Sequence, residues 1–331
     1  MTINTQQIDS GEQGLARKQL SRLFRFLEWR RNGITIIFVV LVVILAVIIP
    51  NFLSVQNIQS MLRGSSVVGI LAMGMTLVMV GGGFDLSVAR VAALSAVLVG
   101  LLNQSGPIIA VGVALLVGTG IGIANGVLVT KARVNPFIVT LGMMSVAGSL
   151  ALVAAGGQTQ RNFAPWLLNI AGGTVGWFPT VGIYFLGAAL VCHFLLRNTR
   201  FGRYIYAAGG NAEATRLTGI PVDRVILSTY MLMGFLSAAA GIVLASYLRS
   251  ATSALLLGAE LDAIAAVIIG GTRLGGGTGS VPRTVLGVFI LAMLSNALVL
   301  LGINPFWQDA LKGSVIIAAV AFDAIAQRVR R

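Results

Sequence analysis

Cysteine and histidine occur once each in this 331-residue chain, as the neighbours Cys192 and His193. One thiol in an apolar run supports neither a disulfide framework nor a cysteine metal site, and His193 reads as a packed or interfacial residue. Charge is scarce as well: 10% of residues are charged, against roughly 25% in soluble domains. Acidic residues are the rarest class, 10 against 23 Lys and Arg. No phosphate-binding Gly-xxxx-Gly-Lys-Ser/Thr loop occurs. The glycine-rich run Leu274–Ser280 lacks the lysine that would reach a phosphate. No nucleophile–base constellation and no metal-ligand cluster is visible, so neither catalytic nor metal-binding residues are expected and an enzyme finds no support.

What fills the chain is apolar residue, 56% of the total, with a mean hydropathy of +0.92. Several runs approach the ~20 residues that cross a bilayer, and the alternating ten-residue segments of a barrel are absent. The expected class is an all-α polytopic membrane protein. Ten spans are predicted, at 33–50, 65–82, 86–102, 107–130, 136–155, 178–196, 225–247, 257–271, 281–302 and 311–326. Residues 1–32 form a tail, with Leu20, Leu23, Phe24 and Leu27 making the apolar stripe of a basic interfacial helix. It does not read as a signal peptide, because more than thirty residues, including Asp9, Glu12 and Glu28, precede the first apolar run. Residues 327–331 form a second short tail.

The +13 net charge would suggest nucleic acid in a soluble protein, but here retention of Lys and Arg on one membrane face accounts for it. With the N-terminus inside, only Arg63, Arg161, Arg249 and Lys312 of the 23 basic residues fall outside. The positive-inside rule therefore places both termini, and the loop 197–224, in the cytoplasm. That loop contains Gly209-Gly210-Asn211-Ala212-Glu213-Ala214-Thr215-Arg216-Leu217-Thr218-Gly219-Ile220-Pro221. It predicts a short helix over Asn211–Ile220. Asn211 suits the N-cap, Glu213 the first turn, and Gly219 a left-handed end before Pro221.

Small and polar residues add further signals. Gly118, Gly122 and Gly126 lie four apart, a spacing that lets a second helix approach closely. Asn125 through Asn135-Pro136-Phe137 resembles Asn296 through Asn304-Pro305-Phe306, each ending one span and opening the next. The two copies fall on opposite sides of the predicted topology, which is the mark of two inverted repeats. Asn-Pro-Phe also makes an ordinary helix start. Asp85 reads as a cap for the third span, Glu260 and Asp262 as first-turn acids of the eighth, and Asp323 as a partner for Arg328. This leaves no deep acidic relay for an ion-coupled pump. Asn125, Thr140, Ser295, Asn296 and Asp85 are the candidates for lining a pathway to a neutral, hydroxyl-rich solute. Each singly also serves as helix–helix glue.

Four stretches resemble the permease subunits of ribose-type sugar ABC importers: Gly81–Val88, Asn125–Gly142, Gly210–Ile220 and Glu260–Thr272. The likeness covers about residues 50–325 and extends to the branched-chain amino-acid ABC permeases. It implies that residues 33–326 are a permease domain in a bacterial inner membrane. It also implies a second permease chain, two cytoplasmic ATPase subunits that bind ATP and magnesium, and a periplasmic sugar-binding protein. The family's ATPase-docking coupling helix maps onto Asn211, Glu213, Ala214, Thr215, Arg216 and Gly219, with Thr215 standing where a small apolar residue is usual. Arg90 departs from the family pattern, which has a small or apolar residue there. Lipid surrounds such a protein, this chain binds no cofactor itself, and nucleic acid is not a partner. A branched-chain amino-acid permease and a proton- or sodium-coupled secondary transporter remain the alternatives.

Overall fold

A computed structural model describes residues 33–304 together with 307, 310, 313 and 314. The expected N-terminal interfacial helix, the tenth span, Asp323 and the C-terminal tail lie outside the described residues.

The described chain is helical throughout its core. In order it forms α1 (Gly33–Ile48), α2 (Val55–Val80), α3 (Val88–Leu102), α4 (Pro107–Thr130), α5 (Pro136–Ala155) and α6 (Pro165–Ala171). A two-stranded hairpin follows, β1 (Thr174–Val175) against β2 (Phe178–Pro179). Then come α7 (Thr180–Asn198), α8 (Arg200–Gly210), α9 (Ala212–Leu217), α10 (Val222–Leu248), α11 (Ala259–Ile269) and α12 (Val281–Leu300). Helix starts follow local chemistry: Pro stands in the first turn of α4, α5, α6 and α12, where its missing N–H costs nothing. Asn135 caps α5 by accepting from Phe137 N at 2.9 Å.

Seven of these helices are long and apolar enough to cross a membrane: α2, α3 with its 3₁₀ extension to Ser105, α4, α5, α7, α10 and α12. Two of the ten expected spans differ. α1 has 16 residues, and α11 has only 11, about 16 Å of helix against a core of about 30 Å. Hydropathy registers apolar residues but not a backbone break, and Leu256 and Gly258 turn to φ +60° and +83° just before α11. The second span begins ten residues earlier than expected. Ser54 caps it by accepting from Asn57 N, so the polar residues Gln56 to Arg63 are helical too.

α2 runs through the middle. From Ser65 to Val80 every residue but Val68 is buried, which suits a helix that is apolar all round. α7, α10, α11 and α12 pack on it, α3 and α4 pack against α10, and α5 packs on α3. The connections gather at two ends. At one, Gly277 N donates to Val80 O at 2.9 Å and the Tyr206 hydroxyl to Gly279 O at 2.9 Å. At the other, Gln160 pairs with Ala251, Asn103 donates to Asn162 O, and Gln59 reaches Trp177 O. Among the described residues the first end carries Lys131, Arg133, Arg197, Arg200, Arg203, Arg216, Arg224, Arg273 and Arg283, and the second only Arg63, Arg161 and Arg249.

Candidate coupling surface and transmembrane pathway

At the basic end, α8 and α9 are built by successive caps. Thr199 accepts from Gly202 N at 3.1 Å and starts α8. Asn211 ends α8 and begins α9, its side chain accepting from Ala214 N at 2.9 Å. Glu213 occupies the first turn of α9, where the helix dipole favours an anion. Gly219 takes φ +81°, a left-handed conformation that suits glycine, and its N–H satisfies Arg216 O. Pro221 then opens α10.

The α9 helix is six residues long and stops at Leu217, short of the expected Ile220. Glu213, Ala214, Arg216 and Gly219 are exposed, and Leu217 is 87% exposed among them. Thr215 is buried instead, its hydroxyl donating to Asn211 O at 2.7 Å. Its polarity is thus satisfied inside the turn, and it presents nothing outward. Arg216 pairs with Asp223 across the proline turn.

The base of this unit is a junction of bare backbones that the glycine runs of the sequence signalled only as loops. A Cβ on Gly209 would lie 1.9 Å from Val80 O and 2.7 Å from Gly277 N. One on Gly276, at φ +80°, would lie 2.7 Å from Gly82 Cα. The end of α8, the end of α2 and the loop before α12 therefore touch main chain to main chain. α9 is thus continuous with α8, whose end meets α2 and the loop before α12, and with α10 through Pro221.

The five pathway candidates separate into three places. Asp85, Ser87 and Asn125 form a sealed knot at the turn between α2 and α3, each no more than 2% exposed. Asp85 Oδ1 accepts from Ser87 N at 2.8 Å, and Asn125 Nδ2 donates to Asp85 Oδ2 at 3.2 Å and to Ser87 Oγ at 3.0 Å. This turn lies outside both flanking spans. Thr140 is buried on α5, apart from the other candidates, its hydroxyl donating to Pro136 O. Ser295 and Asn296 line a cavity of about 270 Å³ between α2 and α12, together with Ser60, Gly64, Ser65 and Asp262. At its rim Asn57 and Asn296 exchange two amide hydrogen bonds, of 3.0 and 2.8 Å. The volume is slightly below the ~300–1,000 Å³ that holds drug-sized ligands. Glu260 and Asp262 do stand in the first turn of α11. Among the described residues no group of three His, Cys, Asp or Glu could hold a metal.

The sequence matches the family described as branched-chain amino acid transport system, permease component, over residues 57–320. The chain belongs to this permease family. The permease is 40% identical to the ribose import permease protein of Escherichia coli (strain K12) over 300 residues, covering 86% of this chain and 90% of that one. To the ribose import permease of Bacillus subtilis (strain 168) it is 42% identical over 297 residues, 86% and 89% of the two chains. To the L-arabinose transport system permease protein of Escherichia coli (strain K12) it is 36% identical over 311 residues, 92% and 93%. No solved structure matches the permease.

Proposed function

We propose that the permease is the transmembrane subunit of an ABC importer that carries a monosaccharide across the bacterial inner membrane by alternating access. Separate ATPase subunits, holding ATP and magnesium, drive it. A periplasmic binding protein delivers the sugar, and a second permease chain completes the pathway. The basic end is cytoplasmic by the positive-inside rule, nine described basic residues against three. α9 is the coupling helix. The observation that carries this reading is the outward, doubly capped α9 whose base is joined to α2 and to the loop before α12 by glycine backbone contacts. A load applied there is not absorbed by side-chain rearrangement.

Two inverted repeats, α2–α5 and the portion beginning with α10, supply the rocking halves. The support is positional: Asn125 lies in the last two turns of α4, towards the basic end, whereas Asn296 lies in the last two turns of α12, towards the opposite end. A monosaccharide is favoured over a branched-chain amino acid by the ribose and arabinose permeases among the relatives and by the hydroxyl and amide lining of the α2–α12 cavity.

The test is co-purification and uptake. Glu213→Arg and Gly219→Val are expected to abolish both ATPase association and sugar uptake while membrane insertion persists. Normal uptake with both positions changed overturns the assignment. Uptake that survives ATP depletion but stops with an uncoupler replaces it by a secondary transporter.

A further inference from the structure

Arg90 is the one described basic residue at neither end of the bundle. It lies twelve residues, about 18 Å, before the end of α3, near half the depth of a 30 Å hydrocarbon core. An arginine stays charged there, and such residues in membrane spans face a cavity or a partner. Its stem lies against α5, where a Cβ on Gly148 would touch Arg90 Cδ at 3.4 Å. Its Nη1 donates to Ser253 O at 3.0 Å, a partner 163 residues away. Ser253 belongs to the ten-residue connector 249–258, which carries the chain from α10 down to the half-length α11. Arg249, Leu256 and Gly258 all take positive φ within it.

α11 rises only about 16 Å from Ile269, so its first turn also sits near mid-depth. Glu260 stands in that turn, and its Oε2 is buried without a hydrogen-bond partner. Arg90 is the basic group whose charge reaches Glu260. Yet the two do not close to the 4.0 Å of an ion pair. Among the described residues, then, a guanidinium with five N–H donors spends one of them, a carboxylate oxygen accepts nothing, and the two groups form no ion pair. Pinning the connector would need only the bond to Ser253.

We infer that Arg90 and Glu260, beside the Ser253 carbonyl, form a mid-membrane subsite for the hydroxyls of a neutral polyhydroxylated solute. Arg90 donates to the solute oxygens and Glu260 accepts from its O–H groups. The inference rests on the importer reading above and adds to it the residues that discriminate between sugars. A site built to hydrogen-bond a hydroxyl rejects the analogue that lacks it, because its own polar groups are then left unpaired.

The experiment uses the complete transporter, with its ATPase and binding protein, reconstituted in proteoliposomes. ATP-driven uptake of the cognate sugar is compared with that of its monodeoxy analogues at saturating binding protein. The native complex is expected to move at least one analogue about tenfold more slowly than the sugar. Arg90→Gln and the isosteric Glu260→Gln are expected to slow the sugar while leaving that analogue unchanged, so that the ratio falls towards one. Arg90→Lys, a donor without the planar fork, is expected to restore part of the difference. Variants that slow sugar and analogue in equal proportion, or that slow neither, overturn the subsite and leave the importer standing. So does a native complex that treats every analogue like the sugar. A native complex that moves no sugar on ATP overturns the importer reading itself.

Discussion

Two helix seams in this molecule solve the same packing problem differently. Between α4 and α10 the surfaces are glycine: a Cβ on Gly122 would lie 2.3 Å from Tyr230 O, and one on Gly234 2.2 Å from Gly118 O. Between α2 and α12 the contacts are side chains. Thr76 and Thr284 share a hydroxyl hydrogen bond of 3.0 Å, Asn57 and Asn296 pair through their amides, and a cavity opens between them. Lipid tails are as apolar as leucine, so no hydrophobic drive joins helices in a membrane. Backbones that touch gain dispersion across their whole length and have one arrangement. Polar side chains that meet at points can exchange partners, with a second solute or with water. The first seam is suited to moving as one body, the second to opening.

The strongest way to break this comparison is to put bulk into each seam. Gly122→Val has nowhere to go without separating two backbones, and is expected to cost about 3 kcal/mol or more. Gly64→Ala, whose Cβ would meet nothing within 4 Å, is expected to stay within about 0.5 kcal/mol. Thermal unfolding of the purified complex in detergent reads both; equal losses would refute the distinction. Next in size is the junction that connects α9 to the opening seam. Gly209→Ala overlaps Val80 O, and a disturbance of about 1.4 kcal/mol in the coupled step already slows uptake about tenfold. ATP hydrolysis measured beside sugar uptake is expected to continue while transport falls, and a parallel fall of both would place the defect elsewhere.

A finer test compares the two asparagines. Asn125→Ala strips a sealed carboxylate of a donor and is expected to cost about 1–3 kcal/mol. Asn296→Ala, at the rim of a cavity that water can fill, is expected to cost about 1 kcal/mol or less. Reversal of that order in detergent melts would mean that the α2–α12 seam is the more rigid one. The smallest effect belongs to Arg216→Ala. Its pair with Asp223 has 49% and 31% side-chain exposure and is worth at most about 1 kcal/mol, fading with salt. A larger loss of stability, measured at low and high salt, would show that the proline turn depends on that pair.

Much of this was readable in the chain, for local reasons. The Asn211 cap, the acid at Glu213 and the left-handed Gly219 depend on neighbours within eight residues. Gly118, Gly122 and Gly126 mark a close approach because their spacing is that of one helix face, although nothing in it names α10 as the partner. The grouping of basic residues follows from counting alternate loops. The reading failed where it depended on continuity or on distance. Apolar residues 257–271 look like a span, but the backbone turns at Leu256 and Gly258 and leaves α11 at half length. Thr215 looked like part of an outward motif and is folded inward by its own hydroxyl. Asn125 and Asn296 looked alike, and one is sealed against Asp85 while the other borders a cavity.

Sequence alone decided that this chain enters a bilayer, which face is basic, and where its exposed capped helix stands. Those properties are sums over residues or products of adjacent ones. Tertiary structure decided that Arg90 meets Ser253, that Gly209 rests on Val80, and that Glu260 keeps an unpartnered oxygen at mid-depth. The first two join residues 163 and 129 positions apart in the chain, and only the packing of whole helices brings such groups together.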